Sequence, residues 1–434
     1  MESPYLPKDA SVLIVGSGTW GLSTALHLAR RGYINIKCLD RYAYPSPDSA
    51  AFDLNKIVGM RNDPPIAARV SRDALAGWHD PLFKDVWHEV GLITAGTDPE
   101  SIAYCRTAYQ SWVDCGEERN VRWLETAQDF HKCVPQLSGG SLPGWKGFFH
   151  RRAGWAHARD SMKVAGDEAR RLGVEFSAGP QATMKSLLLD GNGQACGIIA
   201  EDGTKWYADR IVMTIGAWTD SVVDMEGQIE ARCYAFAHVQ LSQDECDEFK
   251  GIPVVMNLDE GFFFEPSKEG LIKVLYEYPG YIYNVKLADG RTTSLPWSQS
   301  RNPKDTIPDE NRAEIHKLLG RTVPRFQTRT LLNQRLCWCT DSRDRNWLID
   351  FHPIHKRLII ATGDSGTGFK MLPVMGQYIG DLVEGSSLEP LLKTSWRWRP
   401  GEQGWTKRQG WNGTTRDLRE MTGWQSEDTK NSEA

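Results

Sequence analysis

The chain has 434 residues, of which 40% are apolar and 25% charged, and carries a net charge of −5. That length buries a large core, implies two or three domains, and removes any need for disulfide or metal staples. A mildly acidic balance with no lysine- or arginine-rich run excludes nucleic acid and anionic membrane as main partners, and no stretch of about 18 uncharged apolar residues reads as a membrane span.

Nine cysteines without paired metal spacing read as reduced, mostly buried thiols outside the pair at 337 and 339, and no metal site is expected. The first apolar run, residues 12–15, is too short for a signal segment. The final Asn-Ser-Glu-Ala is not a peroxisomal signal, so a cytoplasmic protein is expected. Most of the seventeen tryptophans should pack in the core or between domains, with a few left to line a substrate pocket.

Residues 11–41 read as one unit. A buried strand at 11–15 enters the turn Gly16-Ser-Gly-Thr-Trp-Gly21, a helix over 22–31 follows with Leu22, Ala25, Leu26 and Ala29 on one face, and Gly32 ends it. A second strand, 34–39, closes on Asp40. This is a βαβ dinucleotide-binding fingerprint with its acidic residue in place, and it leaves FAD and NAD both open. Residues 42–60 look irregular. The spacing predicts helices near 65–78 and within 100–145, then a glycine-rich loop, a helix over 161–172 and a strand at 174–176. Residues 183–216 read as a β-meander ending in the strand 211–215. Residues 230–300 are strand-rich, 309–323 a charged amphipathic helix, and 358–361 a buried strand running into Thr362-Gly-Asp-Ser-Gly-Thr-Gly368 and a helix over 369–384. The polar tail after Trp424 reads as disordered. An α/β fold is expected. A Rossmann-like FAD-binding domain (1–89, 146–224 and 326–434) would interleave with an α+β substrate domain (90–145 and 225–325) on a largely antiparallel sheet.

Each glycine of the fingerprint has a task. Gly16 permits the tight turn, Gly18 lets a pyrophosphate approach the backbone, and Gly21 lets helix and strand pack closely. The pyrophosphate then sits at the positive end of the helix, and Asp40 is placed to accept from a ribose hydroxyl. The turn at 362–370 offers a second helix N-terminus able to stabilise negative charge on a reduced cofactor; an ordinary helix entry is the plainer reading. Arg335-Leu-Cys-Trp-Cys339 is too tight for zinc, and composition alone favours a buried strand with two thiols on one face. Lys273, in Leu271-Ile-Lys-Val-Leu275, has either a solvated face or a buried role, and Glu277 shares its strand face at period two.

Over almost its whole length, from residue 12 to about 424, the chain resembles the fructosyl amino acid oxidases (amadoriases) and fructosyl peptide oxidases of the monomeric sarcosine oxidase superfamily. The segments that carry the resemblance include Gly16–Gly21 with Leu22-Ser-Thr-Ala-Leu-His-Leu-Ala29, Asp53-Leu-Asn-Lys56 and Gly261-Phe-Phe-Phe-Glu-Pro266. Further on come Cys337-Trp-Cys-Thr-Asp341, Ala361-Thr-Gly-Asp-Ser-Gly366 and Trp396-Arg-Trp-Arg-Pro400. The resemblance implies an FAD-dependent oxidase of the C–N bond of a small secondary amine, with oxygen as acceptor, hydrogen peroxide as product, and a monomeric state. It implies a thioether from Cys337 to the flavin 8α carbon, with Cys339 uninvolved. Lys273 would lie near flavin N5 and promote the reaction with oxygen. Glu277 would act with it and contact the substrate.

The cofactor set it implies is Gly16, Gly18, Thr19, Trp20, Gly21, Asp40, Arg41, Lys56, Cys337, Asp364, Ser365, Gly366, Gly368, Phe369 and Lys370. The substrate set is Glu277, Tyr234, Arg61, Ser365, Lys407 and Arg408. Three residues depart from the family pattern: Tyr276 replaces an aspartate, Tyr234 a pocket tryptophan, and Thr367 a histidine. The expected substrate is a fructosyl amino acid or dipeptide, giving the amino acid and a glucosone. An oxidase of an N-methyl or cyclic secondary amino acid is the alternative favoured by Tyr276 and Tyr234. An NAD-linked dehydrogenase and a flavin-binding protein without turnover are the readings from other classes.

Overall fold

Two sheets organise the molecule in its computed structural model, which describes residues 5–59, 66–114, 116–401, 405 and 415–429, without the side chains of 66–68 and 277–279. The first sheet has six strands in the order Leu348–Phe351, Leu358–Thr362, Arg210–Met213, Val12–Val15, Ile36–Asp40 and Glu175–Ala178. All neighbours are parallel except the first pair. Parallel strands are covered on both faces, which is why Val12, Leu13, Ile14 and Val15 are uniformly apolar and buried. The second sheet has nine strands and is antiparallel apart from the parallel pair Val254–Asn257 with Leu92–Gly96 and the short strand Arg416–Asp417 beside Leu271–Ile282. The α/β fold with a largely antiparallel second sheet is therefore as expected. The strands Lys146–His150 and Leu332–Ser342, expected with the nucleotide-binding pieces, hydrogen-bond in the second sheet.

The helix Thr19–Arg30 begins three residues earlier than its apolar spacing suggests, because Gly18 is its N-cap. Leu22, Ala25, Leu26 and Leu28 are buried beneath it. Each such leucine contributes roughly 1.5–3 kcal/mol of transfer free energy. On its other side the helix Met375–Glu384 crosses so closely that a Cβ on Gly376 would stand 2.0 Å from the Ser23 carbonyl oxygen. The Gly376 amide donates to Ser23 Oγ at 2.8 Å.

Several sequence expectations are corrected. Residues 42–60 contain the strand Asn55–Val58, paired with Gly154–His157. The meander stops at Lys205–Tyr207, and Arg210–Met213 leaves it to join the parallel sheet. The helix expected over 369–384 is two pieces, a short 3-10 turn at Phe369–Met371 and an α-helix from Met375, because Pro373 lacks an amide hydrogen for the ladder. The second glycine-rich turn therefore does not feed a long helix dipole directly. The described part of the polar tail is tied down: Ser426 N and Thr429 Oγ1 both donate to Asp305 Oδ1, at 2.9 and 2.8 Å. The expectation for tryptophan holds, with Trp78, Trp145, Trp396 and Trp424 fully buried. The eight described cysteines are free thiols. No helix among the described residues is long and apolar enough to cross a membrane.

Candidate active site

The carboxyl ends of Val12–Val15 and Ile36–Asp40 open into a cavity of about 1330 Å³. Open parallel sheets bind nucleotides at this edge. Gly16 has φ +107°, and a Cβ there would stand 2.6 Å from the Thr214 carbonyl oxygen. A Cβ on Gly21 would stand 1.8 Å from the Gly16 carbonyl oxygen, so this glycine permits the helix to lie on the strand. A Cβ on Gly18 would meet only Ser49 Oγ at 3.6 Å, so the protein itself leaves room above that backbone. Asp40 Oδ2 accepts from Ser17 N and Oγ at 2.7 and 2.9 Å, leaving Oδ1 with capacity for a hydroxyl. Thr340 Oγ1 and Arg41 Nε are buried and have no hydrogen-bond partner among the described residues. Both residues line the cavity. Buried polar atoms are normally satisfied, so these two fit a polar ligand. The glycine cradle, the ribose-type acid and the orphaned donors together fit the dinucleotide of FAD.

A second cavity, about 1350 Å³, adjoins the first and shares Lys56, Cys339, Gly366 and Phe369 with it. The helix Pro99–Asp114 gives it Tyr104 and Ala108. That helix is anchored at its start by Asp98, whose carboxylate accepts from Glu100 N and Ser101 N at 2.8 and 3.0 Å. The second sheet supplies Phe236, Phe262, Phe264, Lys273, Leu275 and Cys337. A large reactive ring held against the shared wall would face the first cavity with one end and the second with the other.

Charge concentrates on that wall. Lys273 is 2% exposed and stands on a strand face with Phe236 and Phe264 within cation–π reach, at 4.6 and 5.5 Å from the ring centroids. Its ammonium donates to Asp53 Oδ2 at 2.5 Å and to the Asn55 carbonyl at 3.0 Å. Lys56 Nζ approaches Asp53 Oδ2 at 3.2 Å and donates to Cys337 Sγ at 3.6 Å. Burial works against the Asp53 carboxylate, but Lys273 and then Lys56 outweigh it and hold Asp53 well below the usual carboxylate range. Burial pulls Lys273 down, and repulsion from Lys56 adds to this against the support of Asp53. Burial likewise opposes the charge on Lys56, but the Cys337 sulfur and Asp53 raise it above the ordinary lysine value. The neighbouring Cys339 thiol, and after it Lys56, bring Cys337 down to about 6 against the effect of burial.

Most residues expected at the site meet there. Gly16, Gly18, Thr19, Trp20, Asp40, Arg41, Lys56, Asp364, Gly366, Gly368 and Phe369 line the first cavity, and Gly21 lies behind it. Lys273, Tyr234 and Cys337 line the second. Lys370, expected with the cofactor set, lines the second cavity and not the first. Ser365 lines neither. It is fully buried with φ +48°, and its hydroxyl accepts from Ser342 N at 3.2 Å and donates to the Gly363 carbonyl at 3.2 Å. Its hydroxyl is engaged within the protein, while its neighbours Asp364 and Gly366 line the first cavity.

Tyr276 packs into the apolar cluster on the other side of the sheet, because strand alternation sends it opposite to Lys273 and Leu275. The tyrosine-for-aspartate departure thus leaves the cavity wall unchanged, whereas Tyr234 and Thr367 both line it. Pairing with the neighbouring strand shifts register after Tyr276, which faces Ala235, while Tyr281 faces Cys233. The side chain of Glu277, together with Arg61, Lys407 and Arg408, lies outside the described residues. Asp53, Phe236, Phe264 and Tyr104 were not anticipated as site residues. The one signal was Asp53 itself, an acid three residues before Lys56 in an otherwise uncharged segment.

The family described as FAD dependent oxidoreductase matches residues 11–382. L-Saccharopine oxidase of Schizosaccharomyces pombe is 30% identical, over 91% of this chain and 94% of that one. The structure of fructosyl peptide oxidase from E. terrenum superposes with a TM-score of 0.93 at 38% identity, covering 98% of this chain and all of that one. The fructosamine oxidase Amadoriase II of Aspergillus fumigatus superposes with a TM-score of 0.86 at 36% identity, covering 97% and 98%.

Proposed function

The chain belongs to the FAD dependent oxidoreductase family and is an FAD-dependent amine oxidase that takes a small-molecule substrate and uses oxygen as acceptor, and from that premise we propose that it oxidises the C–N bond of a fructosyl amino acid or dipeptide. The products are the free amino acid, a glucosone and hydrogen peroxide. One observation carries this reading: a second cavity lined by three lysines, Lys56, Lys273 and Lys370, opens on the same wall as the dinucleotide cavity, in a chain like the fructosyl peptide oxidase along its whole length.

FAD, when bound, supplies the two-electron acceptor for the carbon beside nitrogen and passes the electrons to oxygen. The residues around it do the rest. Gly16, Gly18 and the start of Thr19–Arg30 hold the pyrophosphate, and Asp40 accepts from the ribose. Lys273, fixed by Asp53 and the Asn55 carbonyl, keeps a positive charge where negative charge grows on oxygen. Lys370 lines the same cavity. The positive charge of the lysines lining this cavity also disfavours protonation of the substrate amine, so it is held in the neutral form that reacts. Phe236, Phe262 and Phe264 exclude water from the reacting carbon. Cys337 would hold the flavin through a thioether to the 8α carbon. The chain acts as a monomer in this reading, since one chain supplies the described walls of both cavities; a cytoplasmic location belongs to the same proposal.

The aromatic and aliphatic walls of the second cavity, with Tyr234 among them, favour a second reading. In it the substrate is an N-methyl or cyclic secondary amino acid, oxidised with the same chemistry. The test is product analysis with fructosyl-valine, sarcosine and pipecolate. Equimolar peroxide, glucosone and valine from the first supports the sugar substrate. Peroxide from the other two alone discards it and retains the amine oxidase.

A further inference from the structure

The second cavity runs across the sheet, and strand register gives the order of its floor. Leu275 pairs with Phe262, Phe262 with Met256, Met256 with Thr94, and Thr94 with Phe148. All five residues line the cavity. They form one row across neighbouring strands, on the face that Leu275 shares with Lys273 two residues before it. Adjacent strands lie about 4.8 Å apart, so four steps carry the floor about 19 Å from the strand that bears the lysine. The helix Pro99–Asp114 roofs the far end. Tyr104 and Ala108, four residues apart on one helix face, line the same cavity. Ala108 and Phe148 are buried in one apolar cluster, with Leu258 packed against it.

Charge is unevenly spread along this length. The charged residues among the described lining are Asp53, Lys56, Lys273 and Lys370. Lys56 is shared with the first cavity, Lys273 is bound to Asp53, and Lys370 follows the shared Phe369. From Phe262 to Phe148 the row is apolar apart from the Thr94 hydroxyl. The reacting carbon lies at the charged end, beside the first cavity. Sugar hydroxyls need hydrogen-bond partners, which that end supplies and the far end does not.

We propose that the far end, between the row and Ala108, is the subsite for the side chain of the substrate's amino acid, and that this side chain is large and apolar, either branched alkyl or aromatic. The proposal rests on the fructosyl amino acid reading above and narrows it. An ammonium or carboxylate seated on the row would give up its water with no charged partner among the described lining. Each methylene seated there gains about fourfold in affinity. A glycine adduct leaves the floor beyond Phe262 uncovered. Ala108 sets the clearance under the helix, because its methyl is all that the helix places there beside Tyr104.

The test is kcat/KM of the purified yellow enzyme, from peroxide release, for the fructosyl adducts of glycine, leucine, phenylalanine and aspartate. Sarcosine, N-methylleucine, N-methylphenylalanine and N-methylaspartate form a parallel series. Wild type should favour the leucine and phenylalanine adducts over glycine by roughly 10²-fold and place aspartate below glycine. Ala108→Phe fills the space under the helix. It should raise KM for the phenylalanine adduct about tenfold or more, with kcat and the glycine adduct within about twofold of wild type. Met256→Ala removes part of the floor and should narrow the gap between leucine and glycine. Yellow colour and glycine-adduct turnover confirm that each variant folds. Equal kcat/KM across the fructosyl series, or a preference for glycine or aspartate, overturns the proposal and leaves the sugar substrate intact. An Ala108→Phe variant that discriminates as wild type does also overturns it. The apolar order appearing in the N-methyl series alone overturns the sugar reading and supports the subsite. No turnover in either series overturns both.

Discussion

Replacing Lys273 by methionine keeps the length and apolar stem of the side chain and removes one charge. In the structure that charge is bound to Asp53 at 2.5 Å, and both side chains are almost wholly buried. Removing one partner of a buried pair costs about 3–5 kcal/mol; here Lys56 still reaches Asp53 at 3.2 Å, so the lower end applies. The protein should stay folded with a reduced melting temperature. The larger effect concerns oxygen. A unit positive charge about 4 Å from developing negative charge, at an effective dielectric near 20, contributes about 4 kcal/mol, or roughly 10³-fold in rate. Stopped-flow absorbance separates the two halves of turnover. Anaerobic bleaching by substrate should change less than about tenfold, while reoxidation on mixing with oxygenated buffer should slow by roughly 10²–10³-fold. Reoxidation at the wild-type rate in a folded variant would refute the assignment of Lys273 to the oxygen step.

Asp53→Asn leaves two ammonium groups facing each other without a carboxylate, so Lys273 loses its proton at lower pH and the fall in reoxidation at alkaline pH should begin earlier than in wild type; an unchanged profile contradicts the pairing. Because the folded pKa of Asp53 lies below its unfolded value of about 3.9, its contribution is complete above that value and disappears as pH falls through the folded one. The stability gap between wild type and Asp53→Asn, read from urea midpoints, should therefore be large at pH 7 and close below about pH 4. Burial lowers His238 and His150 from 6.5 to about 4, so the unfolded chain takes up protons that the folded one does not. Their contribution falls as pH drops from 6.5 to 4, and a wild-type urea midpoint that rises over that interval is the opposite result. Gly21→Ala would place a Cβ 1.8 Å from the Gly16 carbonyl, so the variant should lose bound FAD and melt lower; full yellow colour at the wild-type melting temperature contradicts the close-packing argument.

What could be read from the amino-acid sequence follows the range of the interactions involved. The fingerprint 16–21 with Asp40 was legible because its chemistry lies within one βαβ unit, where each glycine answers a local steric demand. The thioether candidate and the lysine became visible through resemblance; what joins them did not. Lys56 and Cys337 stand 281 positions apart, and Lys273 and Asp53 220 apart, so the ion-paired wall exists only after two sheets have been brought together. The partnership of Lys273 with Glu277 rests on a period of two, which holds only while register holds, and register shifts between Tyr276 and Tyr281. The same alternation, applied one residue earlier, puts Tyr276 on the far face and shows that its difference from the family pattern does not reach the cavity. Ser365 shows the same limit: its neighbours Gly366 and Asp364 line the first cavity, while its own hydroxyl bonds Ser342 N and the Gly363 carbonyl.

The most direct test of the central claim is anaerobic titration of the purified protein with fructosyl-valine, following the yellow absorbance. The account predicts complete bleaching at one equivalent, followed on admission of air by one equivalent of hydrogen peroxide and full return of the colour. Colour that persists under excess fructosyl-valine while sarcosine or pipecolate bleaches it would contradict the sugar-adduct substrate.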